Sequence, residues 1–288
     1  MNKKSLTILT LSLLTATLSP VQADDVKLNV AEAGFSKQLV SDLVSAYNQQ
    51  SSDTHITLTE TEQGDGRIVL QERGTESIGR FVVLPIANTA NTFLSSSKAK
   101  KGLTPKLERQ IFIERDELDA LSGDAFSTKE INAGTVFSLT GRKSLTSELL
   151  AHKYGTTSAD IKGRKVVASD GAIISIIKKN DDAIGFNIPA LIYNSTSRLP
   201  EERIAVLNVD LNGDGKVADE ERLALRDVDS LVSYLENTSH IGRPVGNVNV
   251  ESTSIALKKF VDWVASSAQQ VVNSHGYLTP LSPLTAKK

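Results

Sequence analysis

An α/β fold with a largely parallel sheet is what this sequence predicts, and three observations predict it. Apolar stretches with a period of two alternate along the chain with stretches whose apolar residues recur at helical spacing, a βαβ rhythm. The rhythm sets in again beyond residue 134. Composition is that of an ordinary globular chain, with 40% apolar and 23% charged residues, which argues against disordered, collagen-like and coiled-coil architectures. A length of 288 residues points to two domains, with one large domain as the alternative.

The first 23 residues are not expected to enter the fold. Lys3 and Lys4 precede a stretch rich in apolar residues from Leu6 to Leu18, and Pro20, Val21, Gln22 and Ala23 form a small-residue cleavage site. This reads as a secretory signal peptide, with Asp24 opening the exported chain. The apolar stretch is too short to span a bilayer.

Residues 26–30 alternate as a strand. Gly34, Phe35 and Ser36 then open a helix in which Leu39, Val40, Leu43, Val44 and Tyr47 share one face. Residues 56–59 form a second strand, the Gly64-Asp65-Gly66 turn follows, and residues 67–71 are expected to begin a helix. Residues 81–86 are a strongly apolar strand. Next come a helix over 105–112, a strand over 134–139 and a helix capped by Ser144 or Thr146. A strand over 166–168, a helix over 172–179 and strands over 183–186 and 204–209 complete the middle of the chain. One long amphipathic helix over 256–272 turns Phe260, Trp263 and Val264 inward.

The chain has no cysteine, which removes disulfides, thiol catalysis and cysteine-ligated metals. Net charge is −2 and becomes more negative once Lys3 and Lys4 are cleaved away, so nucleic acid is not an expected partner. Nucleophile-elbow, zinc-protease, Walker and full dinucleotide motifs are absent, and the four histidines stand at no ligand spacing. A binding protein is therefore expected rather than an enzyme.

The sharpest motif runs over residues 210–221 and fits the twelve-residue calcium loop. Asp210, Asn212 and Asp214 would supply side-chain oxygens, and Lys216 its carbonyl. Gly215 permits the sharp turn, and Glu221 would be the bidentate ligand. The segment before the loop reads as a strand, and only 219–226 beyond it reads as a helix. A structural Ca²⁺ site is expected rather than a sensor, which needs helices on both sides.

Hydroxyl and glycine clusters mark three expected turns into helices: Gly34, Phe35 and Ser36; Gly64, Asp65 and Gly66; and Arg142, Ser144, Thr146 and Ser147. A helix N-terminus offers unpaired N–H groups and the positive end of its dipole, so converging termini suit a small oxyanion. Each cluster alone also fits plain N-capping.

Several segments, in order, resemble the phosphate-binding-protein-like periplasmic solute receptors of ABC importers. They are Gly34-Phe35-Ser36 with its helix and the Phe81 to Asn88 segment. Ser144-Leu145-Thr146 is similar to the family's Ser-Gly-Thr anion turn, and Ala183-Ile184-Gly185-Phe186 to its Ala-Ile-Gly-Tyr. The ending around Phe260, Trp263, Gly276 and Pro280 resembles its last helix and closing strand. The resemblance implies an α/β, two-lobed type II periplasmic binding protein with the ligand cleft between lobes. Its lobes would take residues 24–87 with 243–288, and 88–242 with the calcium-type loop inside. It implies a periplasmic, monomeric receptor that hands a small oxyanion, phosphate by default, to an ABC permease. Leu145 stands where the family has glycine, and Asp65 is the stand-in for its proton-accepting aspartate. The alternative is an exported, non-transport binding or sensor module with a repurposed cleft.

Overall fold

The computed structural model describes residues 24–61, 63–113, 131–139 and 145–281. The proposed signal peptide and the cluster members Arg142 and Ser144 lie outside them. The fold is built on two mixed five-stranded sheets. The first holds β1 (Asp24–Asn29), β2 (Thr54–Thr59), β3 (Gly66–Gln71), β4 (Ser77–Val82) and β10 (Val245–Ser252), in the order β2-β1-β3-β10-β4. The second holds β5 (Leu84–Asn88), β6 (Thr135–Leu139), β7 (Arg164–Val166), β8 (Ala183–Asn187) and β9 (Ile204–Val206), in the order β7-β6-β8-β5-β9. β1 is parallel to β2 and β3, and β6 to β7 and β8. β10 and β5 run antiparallel to both of their neighbours.

Local sequence explains the elements. In β1, Val26 and Leu28 face the core while Lys27 is exposed. α1 (Lys37–Gln50) buries Leu39, Val40, Leu43, Val44 and Tyr47, the face expected from the spacing. α2 (Ser97–Lys101) is capped by Ser96, and α3 (Pro105–Phe112) by the Thr104 hydroxyl, which accepts from Leu107 N–H, with Pro105 in the first turn. α4 (Leu145–Lys153) follows β6, and α5 (Asp170–Lys179) is capped by Ser169. Further helices are α6 (Pro189–Ile192), α7 (Asp219–Ala224), α8 (Val228–Asn237), α9 (Ile255–Ser267) and α10 (Gln269–Ser274).

Four expectations are corrected. Residues 67–71 are β3 and not a helix: they pair antiparallel with β10, which the local sequence does not reveal. The single helix over 256–272 is two, broken at Ala268, where the backbone leaves helical angles. The expected closing strand reduces to one bridge, Arg80 to Leu278. The apolar run over 81–86 divides at Val83, because Leu84–Asn88 pair with β8 and β9 in the second sheet. The chain thus crosses from the first sheet to the second at Val83. It returns just before Val245, and the Val83 N–H donates to Pro244 O at 3.0 Å, so the two crossovers lie side by side.

Candidate functional site

The three expected anion-binding clusters meet different fates. Gly34–Ser36 forms a 3₁₀ turn leading into α1, and a φ of +51° at Gly34 suits the residue without a Cβ. Ser36 is fully buried, and its hydroxyl donates to Ala33 O at 2.7 Å. The Phe35 ring meets Phe81 edge-on at 5.0 Å. Tyr277 Oη donates to Phe35 O at 3.3 Å.

From the other lobe, Thr146 and Ser147 in the first turn of α4 are both buried. Ser147 Oγ donates to Leu139 O at 2.7 Å, and Thr146 Oγ1 donates to Asp170 Oδ1 at 2.9 Å. Asp170 opens α5. Burial pushes its carboxyl up to about 6, against the opposing pull of the Thr146 hydroxyl and a backbone amide. Tyr277 is held above the ordinary phenol range by burial and then by the Asp170 charge, so these two groups from opposite lobes sense each other. Thr146 and Asp170 thus join the first turns of α4 and α5, while Tyr277 is bonded to the turn before α1.

Asp170 has a checkable consequence. A raised carboxyl pKa means the folded state holds a proton that the unfolded chain releases near pH 4. The associated stability is present below about pH 4 and is lost as pH rises through about 6. Asp170→Asn is expected to raise Tm at pH 7.5 and to flatten the decline in Tm between pH 5 and 7.5. An unchanged pH profile would show that the carboxyl titrates normally.

The Gly64, Asp65 and Gly66 cluster does not open a helix; it turns the chain into β3. The Asp65 carboxylate accepts from Lys27 N at 2.7 Å, its own N–H donates to Lys27 O at 2.8 Å, and Ser252 Oγ donates to Asp65 O at 2.6 Å. A Cβ on Gly66 would stand 2.5 Å from Leu257 Cδ1. Asp65 is therefore committed to clasping β1 and β10, and Asp170 is the carboxylate bonded to the first turn of α4.

Beside Tyr277 lies a cavity of about 510 Å³, walled from one lobe by Phe35, Gln38 and Tyr277 and from the other by Pro189, Arg198 and Asp229. Of the described residues expected from sequence to bind the ligand, Phe35 alone lines it.

The calcium-type loop has a strand before it and α7 after it, as expected. Asp210 is buried; its two oxygens accept from Gly213 N at 2.6 Å and Gly215 N at 2.7 Å. Asn212 Oδ1 accepts from Asp214 N and Asp214 Oδ1 from Lys216 N, at 2.9 and 2.8 Å. Buried Glu221 accepts from Leu211 N at 2.7 Å, Asn212 N at 3.1 Å and Ala218 N at 2.8 Å. The loop's carboxylates are turned onto its own amides, and among the described residues no group of three or more Asp, Glu or His side chains is gathered as a metal site. The loop is seated on the returning crossover: Gly242 N donates to Leu211 O at 2.7 Å, and a Cβ on Gly242 would fall 2.3 Å from Gly213 N.

One cluster escaped the sequence reading. Arg243, on the returning crossover, is fully buried. It grips Glu108 of α3 at 2.6 and 2.8 Å and donates to Val83 O, on the outgoing crossover, at 2.9 and 3.1 Å. Glu108 also accepts from Tyr154 Oη at 2.6 Å and Lys153 Nζ at 3.0 Å. No local pattern marks this set, because Glu108 and Arg243 are 135 residues apart.

Two sheets of this strand order, joined by two adjacent crossovers with a cavity between the lobes, define the type II periplasmic-binding-protein fold. The chain is similar to a structure named as a phosphate ABC transporter substrate-binding protein from Clostridium perfringens, solved with bound phosphate. Identity is 13%, the TM-score is 0.52, and 90% of this chain and 100% of that one are covered. An ABC-type phosphate transport receptor from Vibrio cholerae is similar at 11% identity and a TM-score of 0.48, covering 89% and 100%. PstS from Borrelia burgdorferi is similar at 13% and 0.48, covering 90% and 100%. No family model and no curated sequence matches the chain. At 13% identity the likeness to the first of these establishes the fold alone.

Proposed function

We propose that this protein is an exported solute-binding receptor that captures a small oxyanion, phosphate by default, between its lobes and presents it to an ABC permease. The carrying observation is that Thr146 and Asp170 join the first turns of α4 and α5 by a hydrogen bond, while Tyr277 is bonded to the turn before α1. Backbone N–H groups at such helix starts suit an anion, and the two adjacent crossovers are where lobe closure would pivot. The structures named above, which include a phosphate-bound one, support the same reading. Isothermal titration with phosphate and sulfate, after co-purified ligand is removed, is expected to give saturable heat with at least one anion; no heat with any oxyanion overturns it.

A second reading, an exported non-transport binding module on this fold, is favoured by the hydroxyl inventory. Ser36, Thr146 and Ser147 each donate their proton within the protein, to Ala33 O, Asp170 and Leu139 O. A structural Ca²⁺ held by Asp210, Asn212, Asp214, Glu221 and the Lys216 carbonyl completes the proposal. It requires Glu221 to exchange its amide partners for the ion.

A further inference from the structure

The geometry points to the interlobe cavity, which Phe35 and Tyr277 line together with Arg198 and Asp229, as a binding site for a zwitterionic organic solute of amino-acid size. The inference rests on the receptor reading. A volume of about 510 Å³ falls within the range of about 300–1,000 Å³ that organic ligands occupy. A lone oxyanion would leave most of that space empty.

The charges facing the cavity are balanced. Among the described lining residues the cations are Arg198 and, when protonated, His275. His275 Nε2 already lies 2.9 Å from the Asp42 carboxylate. Arg198 is matched to Asp229: its Nε is 3.1 Å from both carboxylate oxygens and its Nη2 is 2.5 Å from one. No excess positive charge remains to hold a dianion. What the wall offers is a paired cation and anion, side by side and both partly open.

Arg198 donates to Ser274 O from Nη1, which leaves a further N–H on each Nη for an incoming carboxylate. The Asp229 side chain is 63% exposed and can accept from an ammonium. From the other lobe, Phe35 and Leu39 supply apolar lining. Arg198 also holds a φ of +64°, a left-handed backbone that a non-glycine residue rarely adopts. Backbone outliers of this kind concentrate at ligand clamps. An occupant with a carboxylate on Arg198, an ammonium on Asp229 and an apolar body against Phe35 and Leu39 would touch both lobes.

Isothermal titration of the purified protein with leucine and phenylalanine tests this, beside N-acetyl-leucine, leucine amide and phosphate. Saturable binding of at least one free amino acid is expected. For leucine, blocking either end should weaken binding at least tenfold. Asp229→Asn should weaken amino-acid binding at least tenfold while leaving the far-UV circular dichroism and Tm unchanged. Absence of heat with both amino acids, or blocked analogues binding as tightly as their parent, overturns the inference. Phosphate heat without amino-acid heat would remove this site and leave the receptor reading standing; no heat with any of them removes both.

Discussion

Arg243→Met is expected to destabilise the protein by about 3–5 kcal/mol, the effect of leaving a buried charge without its partner. Glu108 would stay buried with only Lys153 and Tyr154, and Val83 O would lose its donor. Urea unfolding should show a lower midpoint with an unchanged slope. Adding Glu108→Leu to that variant should recover much of the loss, since an apolar pair of similar volume avoids the desolvation of two ions. A single variant within 1 kcal/mol of the parent would show that the cluster is solvated. The same cluster sets a pH window. Burial alone would push the Glu108 carboxyl up. The charge and hydrogen bonds of Arg243, then Lys153 and Tyr154, outweigh it and hold the carboxyl at about 2. A depressed carboxyl stabilises the fold above its unfolded value of about 4.3, and that stability is lost as pH falls toward about 2. The parent should lose stability between pH 5 and 2 more steeply than the double variant.

Glu221→Ala is expected to cost about 3 kcal/mol or more without any ion present. Its carboxylate satisfies three backbone N–H groups of the 210–221 loop, and each buried group left unpaired costs about 1–3 kcal/mol. Calcium adds a separate expectation. If the loop binds Ca²⁺, a concentration 100 times Kd should stabilise the parent by about 2.7 kcal/mol. Glu221→Gln should lose that calcium-dependent increment. Superimposable melting curves in calcium and in chelator would remove the ion and leave the amide role of Glu221 intact. The crossover is the second place to look. Because Gly242 rests on the loop backbone, disturbing Glu221 should also loosen the peptide that carries Arg243.

What could be read in advance follows the range of the forces involved. α3 was legible at its full bounds because Thr104 and Pro105 mark its start locally, and α1 because its buried face repeats at helical spacing. The 67–71 run was misread because Ile68, Val69 and Leu70 carry no period, and only the distant β10 decides their state. β10 itself went unread although Val248 and Val250 alternate with Asn249 and Glu251, a signal that was present. Of the candidate site, Gly34–Ser36, Thr146 and Ser147 were named from sequence, yet the partners of their hydroxyls came only with packing. Asp170 sits next to a legible cap, Ser169, but the desolvation that raises its carboxyl comes only with packing. Arg198 and Asp229 are ordinary polar residues in sequence; only packing brings them together in a cavity wall.

The adjacency of the two crossovers has an engineering consequence. Val82 and Val245 face each other as partners in the antiparallel pairing of β4 with β10. Everything between them is one long excursion whose ends emerge at neighbouring positions. A two-residue turn such as Asn-Gly, placed from Val82 to Val245, would close a β-hairpin. It would turn the first sheet and its helices into a continuous miniature protein. The second lobe is, in that sense, a detachable module inserted at the tip of a hairpin.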